Sequence, residues 1–309
     1  MVIVRAMGGL GNQLQQYALY RKLEYMGKDV RLDTSWFYNE SLQANMFKER
    51  ELELNYLNPL PYKEASEDEV RSVLGRMWEE PEKLHHKIMR KLRPGADPVF
   101  EENDMYHEEI FAMENKCLVG YWACEKYYAD IMDLLREDIS FPKSSDRELQ
   151  NRNDAVIRQM EETQSVSVHI RRGDYLDDVN RALFGGICTD DYYREAIGYI
   201  KMRFPEAIFY LFSDDISYVR EKYQGEEYQV IDWNQGKNSF YDIMLMSRCK
   251  HNICANSTFS FWGARLNPHT DKIMIRPSIH KNTQVCIPEQ MKSLWEGWTL
   301  ITPQGEVVA

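Results

Sequence analysis

Cysteine and positive charge are both scarce in this chain of 309 residues. The six thiols stand at positions 117, 124, 188, 249, 254 and 286, with no CxxC pair and no dense spacing. That pattern excludes a disulfide-stapled scaffold and points to a reducing compartment. Cys249 and Cys254 bracket Lys250-His251-Asn252-Ile253, residue types that suit a metal, but the stretch straddles a predicted helix-to-strand junction and its thiols read as core. Lys and Arg number 38 against 49 Asp and Glu, a net charge of −11. Backbone-phosphate binding needs a broad basic face, so a nucleic-acid partner is excluded and any anionic ligand must be small and held at one local basic spot. No apolar run reaches membrane-spanning length, and the opening MVIVRAMGG lacks the charged lead and the apolar stretch of a signal peptide. A cytoplasmic chain without a transmembrane segment is expected.

What the chain does hold is core material and one basic octet. Hydrophobic residues make up 43% of the sequence and aromatics 12%, with 7 Trp and 19 Tyr, enough for two domains of ordinary size. Val168-His169-Ile170-Arg171-Arg172-Gly173-Asp174-Tyr175 closes a predicted strand with two adjacent guanidinium groups beside an imidazole and a carboxylate. Arginine presents a planar fork matched to phosphate oxygens and stays charged at any working pH. Two of them released at a strand end read as an anion site. The alternative is an ion pair in which Asp174 holds one arginine and water the other.

The second half alternates between two periods. Strands are predicted at Ser165–Ile170, Ala207–Phe212, Tyr228–Ile231, Asn252–Ala255 and Lys272–Ile275. Helices are predicted between them at Asp190–Arg203, Ile216–Tyr223, Phe240–Cys249 and Thr258–Leu266. Such alternation makes an α/β fold with a parallel, doubly wound sheet. Polar residues follow four strand ends: Arg171-Arg172-Gly173-Asp174, Ser213-Asp214-Asp215, Asp232, and Asn256-Ser257-Thr258. Ligands of open α/β sheets bind outside the carboxyl ends of the strands, so these groups fall where a site belongs. The last group, continuing through Phe259 and Ser260, runs from strand into helix, where free amides and a partial positive charge can hold phosphate oxygens. Plain N-capping by Asn256 or Ser257 is the competing reading.

The first half opens with a similar unit: a strand at Met1–Ala6, a tight loop at Gly8–Gln13, a helix at Leu14–Met26, and a strand at Val30–Leu32 ending in Asp33. This nearly matches a dinucleotide fingerprint, but a G-x-G-x-x-G read from Gly9 puts Leu14 where the third glycine belongs. Between about 40 and 140 the pattern is mixed and mostly helical. Its basic stretch Leu84–Arg93 reads as a solvated helix face, with peripheral contact to a membrane or a lipid-linked acceptor as the alternative. The domain boundary is placed so that residues 1–155 and 156–309 form the two domains.

Taken together, these segments resemble the bacterial α-1,2-fucosyltransferase family. The matching pieces are GGLGNQLQQYA at 8–18, GYWACEKYYADI at 120–131, LLREDISF at 134–141, HIRRGDYL at 169–176, FSDD at 212–215 and HNICANSTFSFWGARLN at 251–267, in order along nearly the whole chain. Two departures, Leu14-Gln15 after GNQ and Ala123-Cys124 after GYW, fall on the acceptor side. The resemblance implies two Rossmann-like domains facing a cleft, the GT-B arrangement of glycosyltransferases. It implies GDP-β-L-fucose as donor and an inverting transfer to the 2-hydroxyl of a terminal galactose, without cofactor or metal. Asp-x-Asp occurs nowhere, so the usual carboxylate clamp for a divalent ion is missing and cationic side chains must balance the diphosphate.

Carried over motif by motif, Arg171 stabilises charge on departing GDP, and His169, Arg172, Asp174 and Asp214 belong to the donor site. Asn256, Ser257, Thr258, Phe259 and Ser260 would hold the donor at the helix start. Asn12 is the catalytic candidate of the other domain, and Gly9, Gly11, Gln13, Tyr121 and Trp122 face fucose or acceptor. Two other classes compete: an NAD(P)-dependent oxidoreductase using GGLGNQ and Asp33, and a non-catalytic module that binds GDP-sugar or glycan. No general base is identified, because GGLGNQ supplies amides and no carboxylate.

Overall fold

The computed structural model of the protein describes residues 1–39, 43, 49–75, 97–173, 178–284 and 287–308. Leu84–Arg93, Asp174 and Cys286 lie outside the described residues. The chain divides into two compact units, Met1–Ser140 and Phe141–Ala309. The expected boundary after residue 155 is corrected, because it would cut the helix Arg147–Glu162 in two. That helix buries Val156 and Met160 against Tyr210, Phe212, Leu245 and Met246, all of the second unit. Its start is fixed by Asp146, whose side chain accepts from the amides of Glu148 and Leu149.

In the first unit β1 (Val2–Arg5), β2 (Val30–Asp33), β3 (Val99–Glu101) and β4 (Lys116–Val119) form a parallel sheet in the order β2-β1-β4-β3. Helix α1 (Leu10–Tyr25) is buried on almost every side, including Gln13, Gln15 and Gln16. It begins four residues earlier than the sequence suggests. The carboxylate of Glu53, 43 residues away, accepts from the Leu10 amide at 3.1 Å and so supplies the start signal that Gly9 cannot. Residues 40–140 are mixed where they are described. Among the described residues that stretch carries β3, β4 and several single-turn 3-10 helices beside the α-helices Glu67–Leu74 and Met132–Asp138. β3 has only three residues, too few for a period to register.

The second unit follows its predicted pattern. β5 (Ser165–Ile170), β6 (Ile208–Ser213), β7 (Tyr228–Ile231), β8 (His251–Ile253), β9 (Met274–Pro277) and β10 (Thr299–Ile301) lie in the order β10-β9-β8-β5-β6-β7. Every strand pair is parallel. All six residues of β5 are buried, as expected for a central strand covered on both faces. Cys249 and Cys254 are 0% and 1% exposed, core thiols as read.

The order of strands locates two crevices. In the first unit the chain leaves β1 toward β2 on one side, and β4 lies on the other. In the second it leaves β5 toward β6 and β7, then crosses to β8 on the far side. Each reversal of winding direction opens a gap between neighbouring loops at the carboxyl ends of the strands, the place where such sheets bind ligands.

Candidate active site

At the β5/β8 crevice the chain leaves the sheet as Arg171-Arg172. Arg171 Nη1 lies 3.0 Å from Asp214 Oδ2, and Arg172 Nε lies 3.1 Å from Asp215 Oδ2. The Arg172 amide donates to Asp214 Oδ1 at 2.9 Å, and its guanidinium carbon sits 3.7 Å from the ring centre of Tyr218. A Cβ at Gly173 would come within 2.5 Å of Asp214 Oδ2 and would displace that carboxylate. Among the described residues each fork is held in an ion pair, by Asp214 and by Asp215. Asp214 and Asp215, at the end of the neighbouring strand, orient the two forks; Asp174 lies outside the described residues. Asp215 also caps the helix Ile216–Lys222, and that amide, the Ser217 hydroxyl and Arg172 hold its carboxyl below the usual range. Asp214, which the resemblance assigns to the donor site, carries Arg171 there. Asp232, at the end of edge strand β7, pairs with Arg152 and Arg220 and takes no part.

The two arginines line a recess of about 100 Å³ with Phe184, Gly185, Gly186, Cys188 and Asn256. Sequence reasoning missed the two glycines. Gly185 has no room for a side chain, because a Cβ would lie 2.7 Å from the Arg181 carbonyl, and Gly186 has a φ of +70°. A Gly-Gly dipeptide directly after a helix was the available signal.

At the facing strand end, Ser257 is the N-cap residue of the helix Thr258–Leu266, yet its side chain makes no capping bond. No acidic residue lies in that first turn either. Among the described residues the helix thus brings a polarised start to the crevice with no acidic side chain in its own first turn. Ser257, Thr258 and Phe259 are partly exposed, in keeping with a ligand contact. Asn256 is corrected: it is 1% exposed, donates its amide to the carbonyls of Phe184 (3.2 Å) and His280 (3.1 Å), and exchanges bonds with Cys188 Sγ at 3.3 Å. It is a strut between loops that also borders the recess. Ser260 is corrected too, for its hydroxyl is buried against the Ser257 carbonyl at 3.1 Å.

His169 is 6% exposed and its ring centre lies 5.8 Å from that of Phe259. Burial, then the Arg171 charge, push its imidazole down to about 4, so the ring is neutral at neutral pH. Its Nδ1 is buried and has no hydrogen-bond partner among the described residues, a vacancy that a ligand group can fill. Two adjacent tyrosines set the spacing of the two loops. Tyr193 donates to the His169 carbonyl at 2.9 Å and Tyr192 to the Cys254 carbonyl at 2.6 Å. No motif announced this pair.

In the first unit, Gly9 is the N-cap of α1, so Gly11, Asn12 and Gln13 lie in its first turn rather than in a loop. Gly11 is buried. Gln13 is 0% exposed; it donates to the Gly8 and Glu51 carbonyls and accepts from the Leu54 amide, so it anchors a neighbouring segment and faces no ligand. Asn12 is partly exposed and packs over Gly8, whose lack of a Cβ leaves room for it. Tyr121 is 41% exposed, whereas Trp122 is fully buried between Phe100 and Tyr127. Gln13 and Trp122 are therefore framework, and their expected acceptor contacts are corrected. The dinucleotide reading loses both its supports. The α1 start is occupied by Glu53, and Asp33 is buried against Arg5 at 2.8 Å and the Ser35 amide at 3.0 Å.

The profile of a family described as Glycosyl transferase family 11 matches residues 103–301. The chain is 32% identical over 284 residues to Alpha-1,2-colitosyltransferase of Escherichia coli, covering 90% of this chain and 91% of that protein. It is likewise 32% identical over 295 residues to O-antigen biosynthesis glycosyltransferase WbnK of Escherichia coli, covering 87% and 91%. A shorter match, 31% over 103 residues, joins 33% of this chain to 28% of Galactoside alpha-(1,2)-fucosyltransferase 1 of Saimiri boliviensis boliviensis.

Proposed function

The chain belongs to glycosyl transferase family 11, and from that premise we propose that it moves L-fucose from GDP-β-L-fucose to the 2-hydroxyl of a terminal galactose, with inversion. The observation that carries the reading is the pairing of two oriented arginines with an uncapped helix start at one crevice. In the displacement, the acceptor oxygen attacks the anomeric carbon as the bond to the β-phosphate oxygen breaks. The electron pair goes to GDP and the acceptor proton to a base. Negative charge grows on the departing diphosphate, where Arg171 is aimed and Arg172 adds a second fork. Ser257 and Thr258 supply further donors at the helix start, and the neutral, buried His169 backs the loop that carries the arginines. Asn12, with Gly9 beside it, serves the acceptor side. Two guanidinium groups take the part of a metal, so no divalent ion is required.

Bacterial surface-polysaccharide synthesis and a cytoplasmic location complete the reading. The O-antigen role in the name of the second relative supports the former. Among the described residues no helix is long and apolar enough to cross a membrane. The likeness to a colitosyltransferase favours one second reading, colitose in place of fucose. The test is release of GDP from GDP-fucose and from GDP-colitose, with and without lactose, followed by NMR of the product linkage. A β-linked or 1,3-linked product, or no turnover of either donor, overturns the proposal.

A further inference from the structure

We propose that Arg50, Tyr121 and Asp104 form an acceptor-sugar subsite at the carboxyl ends of β1 and β4, built for a neutral pyranose. The inference rests on the reading of the first unit as the acceptor side. Topology puts the crevice of that unit between the loops after β1 and β4. Gln16 ties those loops together: it accepts from the Met7 amide at 2.9 Å and donates to the Gly120 carbonyl at 2.9 Å. Along the first loop lies Arg50, whose Nη1 is 3.4 Å from where a Cβ on Gly9 would stand. Its Nε is shut off from solvent and has no hydrogen-bond partner among the described residues. A buried donor left unpaired is costly; Arg50 as a whole is partly exposed, so the rest of its fork can donate to a ligand oxygen.

Along the second loop the backbone is strained in a way that serves display. Non-glycine residues with positive φ number three among the described residues: Asp104 at 65°, Asn115 at 52° and Trp122 at 52°. Two of the three flank this crevice. A tryptophan in that conformation persists only where surrounding structure forces it, here by packing between Phe100 and Tyr127. The result is a turn that sinks Trp122 at 0% exposure while leaving Tyr121 at 41%. The Tyr121 amide donates to Glu102 Oε2 at 3.1 Å, which fixes the turn against the β3 loop that carries Asp104. Electrostatics agree with the placement. Burial, then Asp104 and Glu102, raise the Tyr121 phenol, while Arg50 opposes them.

The three side chains complement a neutral sugar. An exposed ring can stack on the apolar C–H face, a guanidinium donates to hydroxyl oxygens, and carboxylates accept from hydroxyl protons. An acidic sugar would meet the charges of Asp104 and Glu102 instead.

Binding of lactose to the whole protein, with and without GDP, is measured by saturation-transfer NMR for wild type, Arg50→Ala, Tyr121→Ala, Tyr121→Trp and Asp104→Asn. Lactose should bind about tenfold more weakly to the two alanine variants and near wild-type strength to Tyr121→Trp, which keeps a ring. Lactose terminated by galacturonate should bind poorly to wild type and better to Asp104→Asn. Equal lactose affinity in wild type, Arg50→Ala and Tyr121→Ala overturns the subsite, as does a wild type that binds no neutral galactoside. Lactose binding that follows this pattern in a protein that turns over no GDP-sugar would instead sink the proposed reaction and leave the subsite standing.

Discussion

Arg171 and Asp214 meet at 3.0 Å across the ends of two neighbouring parallel strands, and the same carboxylate takes the Arg172 amide at 2.9 Å. Asp214 thus aims the Arg171 fork and fixes the Arg172 backbone, while Asp215 holds the Arg172 fork. Preorganised donors stabilise developing charge without reorganising during the reaction, so the aim matters as much as the charge. Arg171→Ala should lower transfer about 10²–10³-fold with little change in melting temperature. Arg171→Lys should recover little, because a point charge cannot reproduce the fork. Asp214→Asn should fall between wild type and Arg171→Ala, since the side chain loses its charge but keeps an acceptor. Steady-state GDP release checks all three, and an Arg171→Ala enzyme within a few-fold of wild type would remove Arg171 from the chemistry.

Asn256 and Ser257 are neighbours in sequence and should separate in experiment. Asn256→Ala strips the Phe184 and His280 carbonyls of their donor, a loss of about 1–3 kcal/mol. Its melting temperature should fall, and GDP affinity should follow only as far as the loops slacken. Ser257→Ala removes a hydroxyl that caps nothing, so stability should hold while GDP binds more weakly. Thermal melts beside GDP titrations decide; a stable Asn256→Ala that cannot bind GDP would return Asn256 to the donor contacts.

These two residues also mark how far the sequence could be read. Alternating periods revealed the second unit, and the polar strand ends revealed its crevice, because both are properties of chain direction. Side-chain facing is not. Gln13, Trp122, Asn256 and Ser260 carry ligand-like chemistry in loops and helix starts, yet each is turned into the protein, where it satisfies or packs against neighbours brought in from afar. Arg50 sits in no motif, and it becomes visible only when the fold lays it along Gly9. Helix α1 starts at Leu10 because of Glu53, a partner 43 residues away that no local window contains.

Charge balance without a metal gives a direct test. If two guanidinium groups and a helix start balance the diphosphate, as proposed, transfer should persist in excess EDTA. Loss of activity on chelation, restored by Mg²⁺ or Mn²⁺, would show that the arginines do not suffice.

Two histidines, the buried His169 and the partly buried His280, should make the fold acid-sensitive. Burial and nearby cations push His169 down to about 4 and His280 down to about 3, while the unfolded chain titrates near 6.5. Between those values the unfolded state binds more protons, so their contribution to stability is complete above about 6.5 and falls as the pH is lowered. The slope reaches about 1.4 kcal/mol per pH unit for each histidine. His280→Gln should unfold in urea with a shallower loss between pH 7 and pH 5 than wild type, whatever its stability at pH 7. Parallel slopes in the two proteins would mean that His280 is protonated in the folded state.

Asn12 is the sharpest case, because the structure removes its simplest explanation. Gly9 occupies the N-cap of α1 and Glu53 takes the Leu10 amide, so Asn12 sits at the third helical position and is not the N-cap. Its Nδ2 lies 2.6 Å from where a Cβ on Gly8 would stand, so the side chain folds back over the loop at the mouth of the β1/β4 crevice. An amide there can donate to the acceptor hydroxyl or to the fucose ring, and a serine at the same position is too short to reach the same atom. Asn12→Ser should keep the melting temperature within about 1 kcal/mol of wild type, since no cap is lost. It should keep GDP affinity as well, because the arginines and the helix start that hold the nucleotide belong to the second unit. Transfer to lactose should fall far more than either. A variant that melts early would instead make Asn12 a packing residue over Gly8. Normal turnover with a normal melt would leave Arg50, Tyr121 and Asp104 to position the acceptor without it.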